Sequence, residues 1–206
     1  MTEWLAVEDP QAPLRAAEVI RQGGLVILPT DTVYGVAADL WQPQAVAAIY
    51  AAKRRPPERA IPILLADPKD IAQVAQDVPP MARRLAEVFW PGPLTIAVPK
   101  RPDVPPIVSS LPTVGVRIPN HEATRAVIRA CGGALAVTSA NLSDQPSALT
   151  AEDAAQALGE AVALVLDGGR CPGGVPSTVV DISSGDIRIV RIGPLDEAAL
   201  RRALEG

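Results

Sequence analysis

Short apolar runs that alternate with alanine-rich stretches constrain this 206-residue chain more than any other feature. LVILP (25–29), IPILLAD (61–67), LTIAVPK (94–100), VGVRIP (114–119), LAVTSA (135–140), VALVLDGG (162–169), STVVDIS (177–183) and IRIVRIG (187–193) are β-branched, brief and bounded by Gly, Pro or polar clusters. Such runs predict strands, about eight in all. PLRAAEVIRQ (13–22) predicts a helix stopped by Gly23-Gly24, and QAVAAIYAA (44–52) a helix stopped at Pro56-Pro57, where the proline ring cannot continue the backbone. DIAQVAQ (70–76), PMARRLAEVFW (80–90), HEATRAVIRACGG (121–133) and TAEDAAQALG (150–159) predict further helices, the last opened by a Thr150/Asp153 capping-box-like pair. Helices interleaved with strands predict one α/β domain built on a large twisted sheet flanked by helices. The strands after residue 160 follow one another without a helix, so part of that sheet is expected to be antiparallel, making it mixed.

Composition narrows the function classes. The chain is 48% hydrophobic, enough for one sizeable core. A net charge of −4 argues against a general nucleic-acid binder, which carries a basic excess. The two cysteines, Cys131 and Cys171, form neither a disulfide framework nor a zinc-ribbon spacing, and a single histidine, His121, excludes a histidine metal cluster. The opening MTEWLAVEDP lacks an apolar signal core, and no apolar run approaches membrane-spanning length. A cytoplasmic protein that does not engage a membrane is expected.

No GxxxxGK[ST], GxGxxG or GxSxG is present. What remains are polar groups beside the predicted strands. PTDTVYGV (29–36) packs two threonine hydroxyls, a carboxylate and a tyrosine directly after LVIL. KRRPPER (53–59) sets Lys53, Arg54, Arg55 and Arg59 at the end of a helix. Four cations in seven residues suit an anion with several oxygens, such as a triphosphate; from charge alone a solvated helix C-terminus, where cations are favoured anyway, is the better explanation. VTSANLSDQPS (137–147) offers small hydroxyl and amide side chains that let a backbone approach a ligand, or an ordinary Asx or Ser turn. GGVPSTVVD (173–181) reads either as another such group or as a hairpin entry. Arg117 lies among apolar neighbours, either buried against a carboxylate or phosphate or turned to solvent by strand alternation, and Arg191 poses the same choice. FWPGPLT (89–95) predicts a rigid structural turn, and KRPDVPPIVSSLP (100–112) a loop that could cover a site. Polar groups at strand ends mark the ligand edge of an open α/β sheet.

The order PTDTVYGV, KRRP, FWPGPLTI, VGVRIPNH, TSANLSDQPS, GGVPSTVVD, VRIGP resembles the YrdC family of L-threonylcarbamoyladenylate synthases, over about residues 13–195 of a single domain spanning 1–206. The length is that of the family's short, single-domain form. The resemblance implies an enzyme, a nucleotidyltransferase converting L-threonine, bicarbonate and ATP to threonylcarbamoyl-AMP and pyrophosphate. The product would serve N6-threonylcarbamoyladenosine formation at position 37 of tRNA, with a separate transferase complex as downstream partner and at most weak tRNA binding. It implies Mg2+ carried with ATP, no organic cofactor and no metal site built from side chains. By motif, Thr32, Tyr34, Arg117 and Ser177 would bind threonine. Lys53, Arg55, Arg59, Thr113, Ser139, Asn141, Ser147 and Arg191 would bind ATP, with Lys53 and Arg55 catalytic. Where some family members carry a threonine-binding histidine in the strand after the K-x-R element, this chain has Leu64; Arg59 stands where some have asparagine. The competing readings are an RNA-binding module without catalysis, which the aromatic content of 3% disfavours, and a carbamoyl-adenylate former related to carbamoyltransferases.

Overall fold

The computed structural model describes residues 2–205. Ten strands form one sheet: β1 (Glu3–Ala6), β2 (Val26–Leu28), β3 (Gly35–Ala38), β4 (Ile63–Leu65), β5 (Leu94–Pro99), β6 (Thr113–Arg117), β7 (Ala134–Ser139), β8 (Leu164–Asp167), β9 (Thr178–Asp181) and β10 (Arg188–Arg191). Six helices accompany them: α1 (Ala12–Arg21), α2 (Pro43–Lys53), α3 (Pro80–Phe89), α4 (Glu122–Ala130), α5 (Ala151–Leu158) and α6 (Glu197–Glu205). The spatial order is β1-β8-β2-β3-β7-β4-β6-β5-β9-β10. The β1–β8, β2–β8, β4–β6 and β5–β9 pairs are parallel and the rest antiparallel, so the sheet is mixed as expected.

The local signals act where the sequence places them. Proline opens α1, α2 and α3, where its missing N–H costs nothing. Arg54 closes α2 in the left-handed region, at φ 50°, ahead of the Pro56-Pro57 stop. His121 caps α4, its Nδ1 accepting from Thr124 N at 3.3 Å, and Thr150 caps α5 by accepting from Asp153 N at 3.2 Å. Three expectations need correction. The strands number ten, not eight: the amphipathic β1 and the small-residue β3, whose first half lies inside PTDTVYGV, lack a β-branched run. DIAQVAQ is not an α-helix; a short 3-10 turn, Pro68–Gln73, is set by a reciprocal Asp67/Asp70 capping box. Segment 100–112 is not a free-standing flap: it lines a cleft through Ser109 and Leu111, but it is anchored. Val104 and Val108 sink into the core, Ile61 N donates to Val108 O at 2.8 Å, and the Lys100 ammonium donates to Ser109 O.

Helices cover the two faces of the sheet unequally. One face packs a single core through Ile27, Val36, Ile63, Leu94, Ile96, Val114, Val116 and Val180 against α2, α3 and α5. Burying each such side chain is worth about 1.5–3 kcal/mol. On the other face, α1 and α4 cover Val26, Leu28, Ala37, Leu135, Val137, Leu164 and Leu166, and stop at Leu64 of β4. Beyond β4 this face carries no helix among the described residues. Among the described residues no helix is long and apolar enough to cross a membrane.

Candidate functional site

A cleft of about 450 Å³ lies on the uncovered face, within the size range of small-molecule sites. Its floor is every second residue of neighbouring strands: Thr95 and Ala97 of β5, Thr113, Gly115 and Arg117 of β6, Val179 and Asp181 of β9. The hydroxyls and arginines were expected at strand ends, and Thr113, Arg117, Ser139, Arg188 and Arg191 are end residues of β6, β7 and β10, while Thr32, Arg55, Arg59 and Ser177 stand in the adjoining loops. Thr95, inside β5, joins them because a period of two puts alternate side chains on one face. Floor residues are small where strands approach closely. A Cβ on Gly35 would stand 2.7 Å from Val137 Cγ1, and one on Gly115 3.1 Å from Thr95 Cγ2.

Arg55, Arg59, Arg117, Arg188 and Arg191 line the cleft, with Asp181 as the one acid among the lining residues. That acid is already paired with Arg188 at 2.6 Å. The cleft is thus strongly cationic inside a chain of net charge −4. A fault in β10 makes this possible. Residues 188 and 191 would face opposite sides of a regular strand, but the register shifts between Ile189 and Arg191, and the bulge turns both arginines to the cleft.

Arg117 is 5% exposed and settles the choice left open for it: alternation aims it away from the core, yet loops bury it against a carboxylate. Its Nη2 pairs with Asp31 Oδ1, Nη1 donates to Thr32 Oγ1 at 3.0 Å and Nε to Gly92 O at 2.9 Å. Three of five guanidinium N–H groups are used, leaving one on each Nη. Burial pulls its pKa down, against the opposing pull of Asp31. Asp31 also accepts from Asn120 N at 3.1 Å, and Thr32 Oγ1 shares a 3.0 Å hydrogen bond with Thr30. The FWPGPLT turn, expected to be only structural, supplies the Gly92 carbonyl and Thr95.

Arg191 donates from Nε and Nη2 to Ser177 O at 3.0 and 2.9 Å, and Ser177 Oγ meets Thr95 Oγ1 at 2.8 Å. Burial, then the like charges of Arg117 and Arg55, lower the Arg191 pKa. Arg55 donates to Arg59 O and Ala60 O at 2.9 and 2.8 Å, its pKa lowered chiefly by burial. Clustered arginines held apart by carbonyls are poised for an anion that cancels their repulsion.

Of the twelve site residues expected from sequence, nine line this cleft: Thr32, Tyr34, Arg55, Arg59, Thr113, Arg117, Ser139, Ser177 and Arg191. Lys53, Asn141 and Ser147 do not. Lys53 is 1% exposed and donates to the carbonyls of Ser139 and Asn141, which places it behind the loop and off the cleft lining. Asn141 turns inward, its Nδ2 donating to Leu142 O and Gln145 O at 2.8 Å. Tyr34 lies along the cleft, but its hydroxyl is engaged: it donates to Gly169 O at 2.7 Å and accepts from Gly168 N at 3.1 Å. Burial pushes that phenol up to about 12. Sequence reasoning assigned no role to Asp31, Thr95, Asp181 or Arg188. Only Asp31 carried a usable signal, as the sole acid in PTDTVYGV.

A profile of the Sua5/YciO/YrdC family, described as telomere recombination, matches residues 18–193. A Bacillus subtilis protein named threonylcarbamoyl-AMP synthase is 35% identical over 99% of this chain and 59% of its own length. The chain therefore spans little more than half of that relative. A Mycobacterium tuberculosis relative, also 35% identical, is matched over 96% of its length. The crystal structure of Pyrococcus abyssi Sua5 complexed with L-threonine superposes with a TM-score of 0.91 at 34% identity, covering 99% of this chain and 60% of that one.

Proposed function

Because this chain belongs to the Sua5/YciO/YrdC family, we propose that it is a threonylcarbamoyl-AMP synthase acting in the cytoplasm, with ATP, L-threonine and bicarbonate as substrates. The observation that carries this reading is the convergence of five arginines and several hydroxyls on one uncovered sheet face. The threonine bound in the Pyrococcus abyssi relative supports the amino-acid half of it.

In this reading the neutral threonine amine adds to the carbon of bicarbonate, forming the C–N bond, and water leaves with the amine proton to give a carbamate. A carbamate oxygen attacks the α-phosphorus of ATP, the bond from that phosphorus to the bridging oxygen breaks, and pyrophosphate leaves. The protein has little covalent work to do: it holds two anions in line and cancels their repulsion. The two remaining Arg117 N–H groups would take the threonine carboxylate, with Thr32 and Ser177 beside it. Arg55, Arg59, Arg188 and Arg191 would face the triphosphate, and Thr113 and Ser139 would contact the nucleotide. Leu64, next to Arg117 across the β4–β6 pair, gives an apolar wall where the threonine methyl would lie. Among the described residues no cluster of carboxylates, cysteines or histidines is arranged for a metal, so Mg2+ would arrive on the ATP phosphates, where it supplies charge neutralisation. A downstream transferase would consume the labile mixed anhydride.

Pyrophosphate release from Mg-ATP, with L-threonine and bicarbonate omitted in turn, tests the proposal. Release that needs both is expected. Release dependent on carbamoyl phosphate would move the protein to carbamoyltransferase chemistry, and RNA binding without release under any mixture would make it a binding module.

A further inference from the structure

Lys53 is among the largest fully buried side chains, yet it belongs to neither core nor cleft surface. Its ammonium donates to the carbonyls of Ser139, the last residue of β7, and Asn141. Its own carbonyl accepts from Ser143 N at 2.9 Å. One residue thus grips the 139–143 loop by side chain and by backbone. The loop's own hydrogen bonds, among them Asn141 Nδ2 to Leu142 O and Gln145 O, do not satisfy all of it: Asn141 Oδ1 and Ser143 Oγ are buried without a hydrogen-bond partner. Such unpaired groups destabilise a local fold unless something outside it compensates. An apolar side chain would fill the Lys53 site without the desolvation cost of an ammonium, so the charge itself has a task there.

We propose that Lys53 is a positioning residue, whose ammonium fixes the 139–143 loop so that Ser139 meets the nucleotide without Lys53 touching it. The inference rests on the ATP-binding reading given above. The chemistry makes it pH-sensitive. Burial, with the charge of Arg55 adding to it, pulls the Lys53 amine down to about 8. Arg55, just past the end of α2, is the charged group acting on it; the β7 loop meets it with the carbonyls of Ser139 and Asn141, and the loop's one carboxylate, Asp144, is paired with Arg59. Below about pH 8 the amine is charged. Above that pH it keeps two N–H groups but loses the charge that makes such hydrogen bonds roughly twice as strong.

Mg-ATP binding without threonine, followed by calorimetry from pH 7 to 9.5, tests this without interference from the threonine amine. Wild-type affinity should fall roughly tenfold through about pH 8, whereas Lys53→Met should bind weakly throughout and show no step. Hydrogen exchange of the ligand-free protein gives the structural readout. Protection of amides 141–145, relative to β2, should drop above pH 8 in the wild type and at every pH in the variant. A flat wild-type affinity overturns the proposal, as does wild-type-like binding by Lys53→Met. Weakened binding with unchanged exchange also overturns it, since the charge would then act on phosphate through space. If Lys53→Met does not fold, the wild-type series decides alone. If the wild type binds no Mg-ATP at pH 7, the ATP-binding reading fails, and the exchange series still judges the hold on the loop: pH-independent protection would sink it.

Discussion

The two halves of the sheet differ in what lies on their second face, and the strand sequences differ to match. In β8, β2, β3 and β7 helices cover both faces, and the strands read as near-continuous apolar runs such as VIL and ALAV. In β6, β5 and β9 the core takes one face only, and the sequence alternates: Thr113, Gly115 and Arg117 toward the cleft, Val114 and Val116 toward the core. β4 marks the boundary, with Ile63 and Leu65 in the core and Leu64 at the edge of the cleft. Alternation in strands paired on both sides therefore identifies a face kept free of helices, and in this chain that face carries the candidate site.

The comparison breaks most severely at Arg117. Arg117→Ala leaves Asp31 buried without its partner, so a stability loss of about 3–5 kcal/mol is expected in denaturant unfolding. Pyrophosphate release should fall by more than roughly a hundredfold. The double variant Asp31→Asn/Arg117→Met should regain most of the stability and none of the activity; recovery of both would remove Arg117 from the site. Next comes the covered half, where Ile27 is fully buried. Ile27→Ala should cost about 2–5 kcal/mol by the same unfolding measurement, while kcat and KM of the folded protein stay at wild-type values. A change in KM would mean that the two halves are mechanically coupled. The smallest effect is expected at the cleft rim. The Arg59–Asp144 pair, at 2.7 Å, has both side chains about half exposed or more, so Arg59→Ala should shift stability by less than about 1 kcal/mol. Its effect should appear as a severalfold rise in the KM for ATP, read from initial rates.

The α/β class and eight of the strands were legible in the sequence because each rests on local chemistry, β-branched runs and proline stops; the nine cleft residues were legible only through the resemblance of the motif order to the YrdC family, since local chemistry left each of them open. Other features depended on distant partners. Lys53 looked like a phosphate ligand from its place beside Arg54 and Arg55, but a lysine's reach is settled by what packs over it, here the end of β7 from 86 residues away. Arg188 was hidden by the period-two rule, which a bulge in β10 suspends. The prolines of 100–112 suggested mobility, whereas two buried valines tie that segment to the core.

By itself the sequence determined the elements, the apolar faces they must bury and the chemical character of the site, since propensity, periodicity and charge are properties of neighbouring residues. Tertiary structure alone decided which sheet face stayed uncovered, that Asp31 would hold Arg117, and that the Lys53 ammonium would meet the carbonyls of Ser139 and Asn141. Those outcomes arise from contacts between residues far apart in the chain, where burial and partner geometry set the energy of each charge.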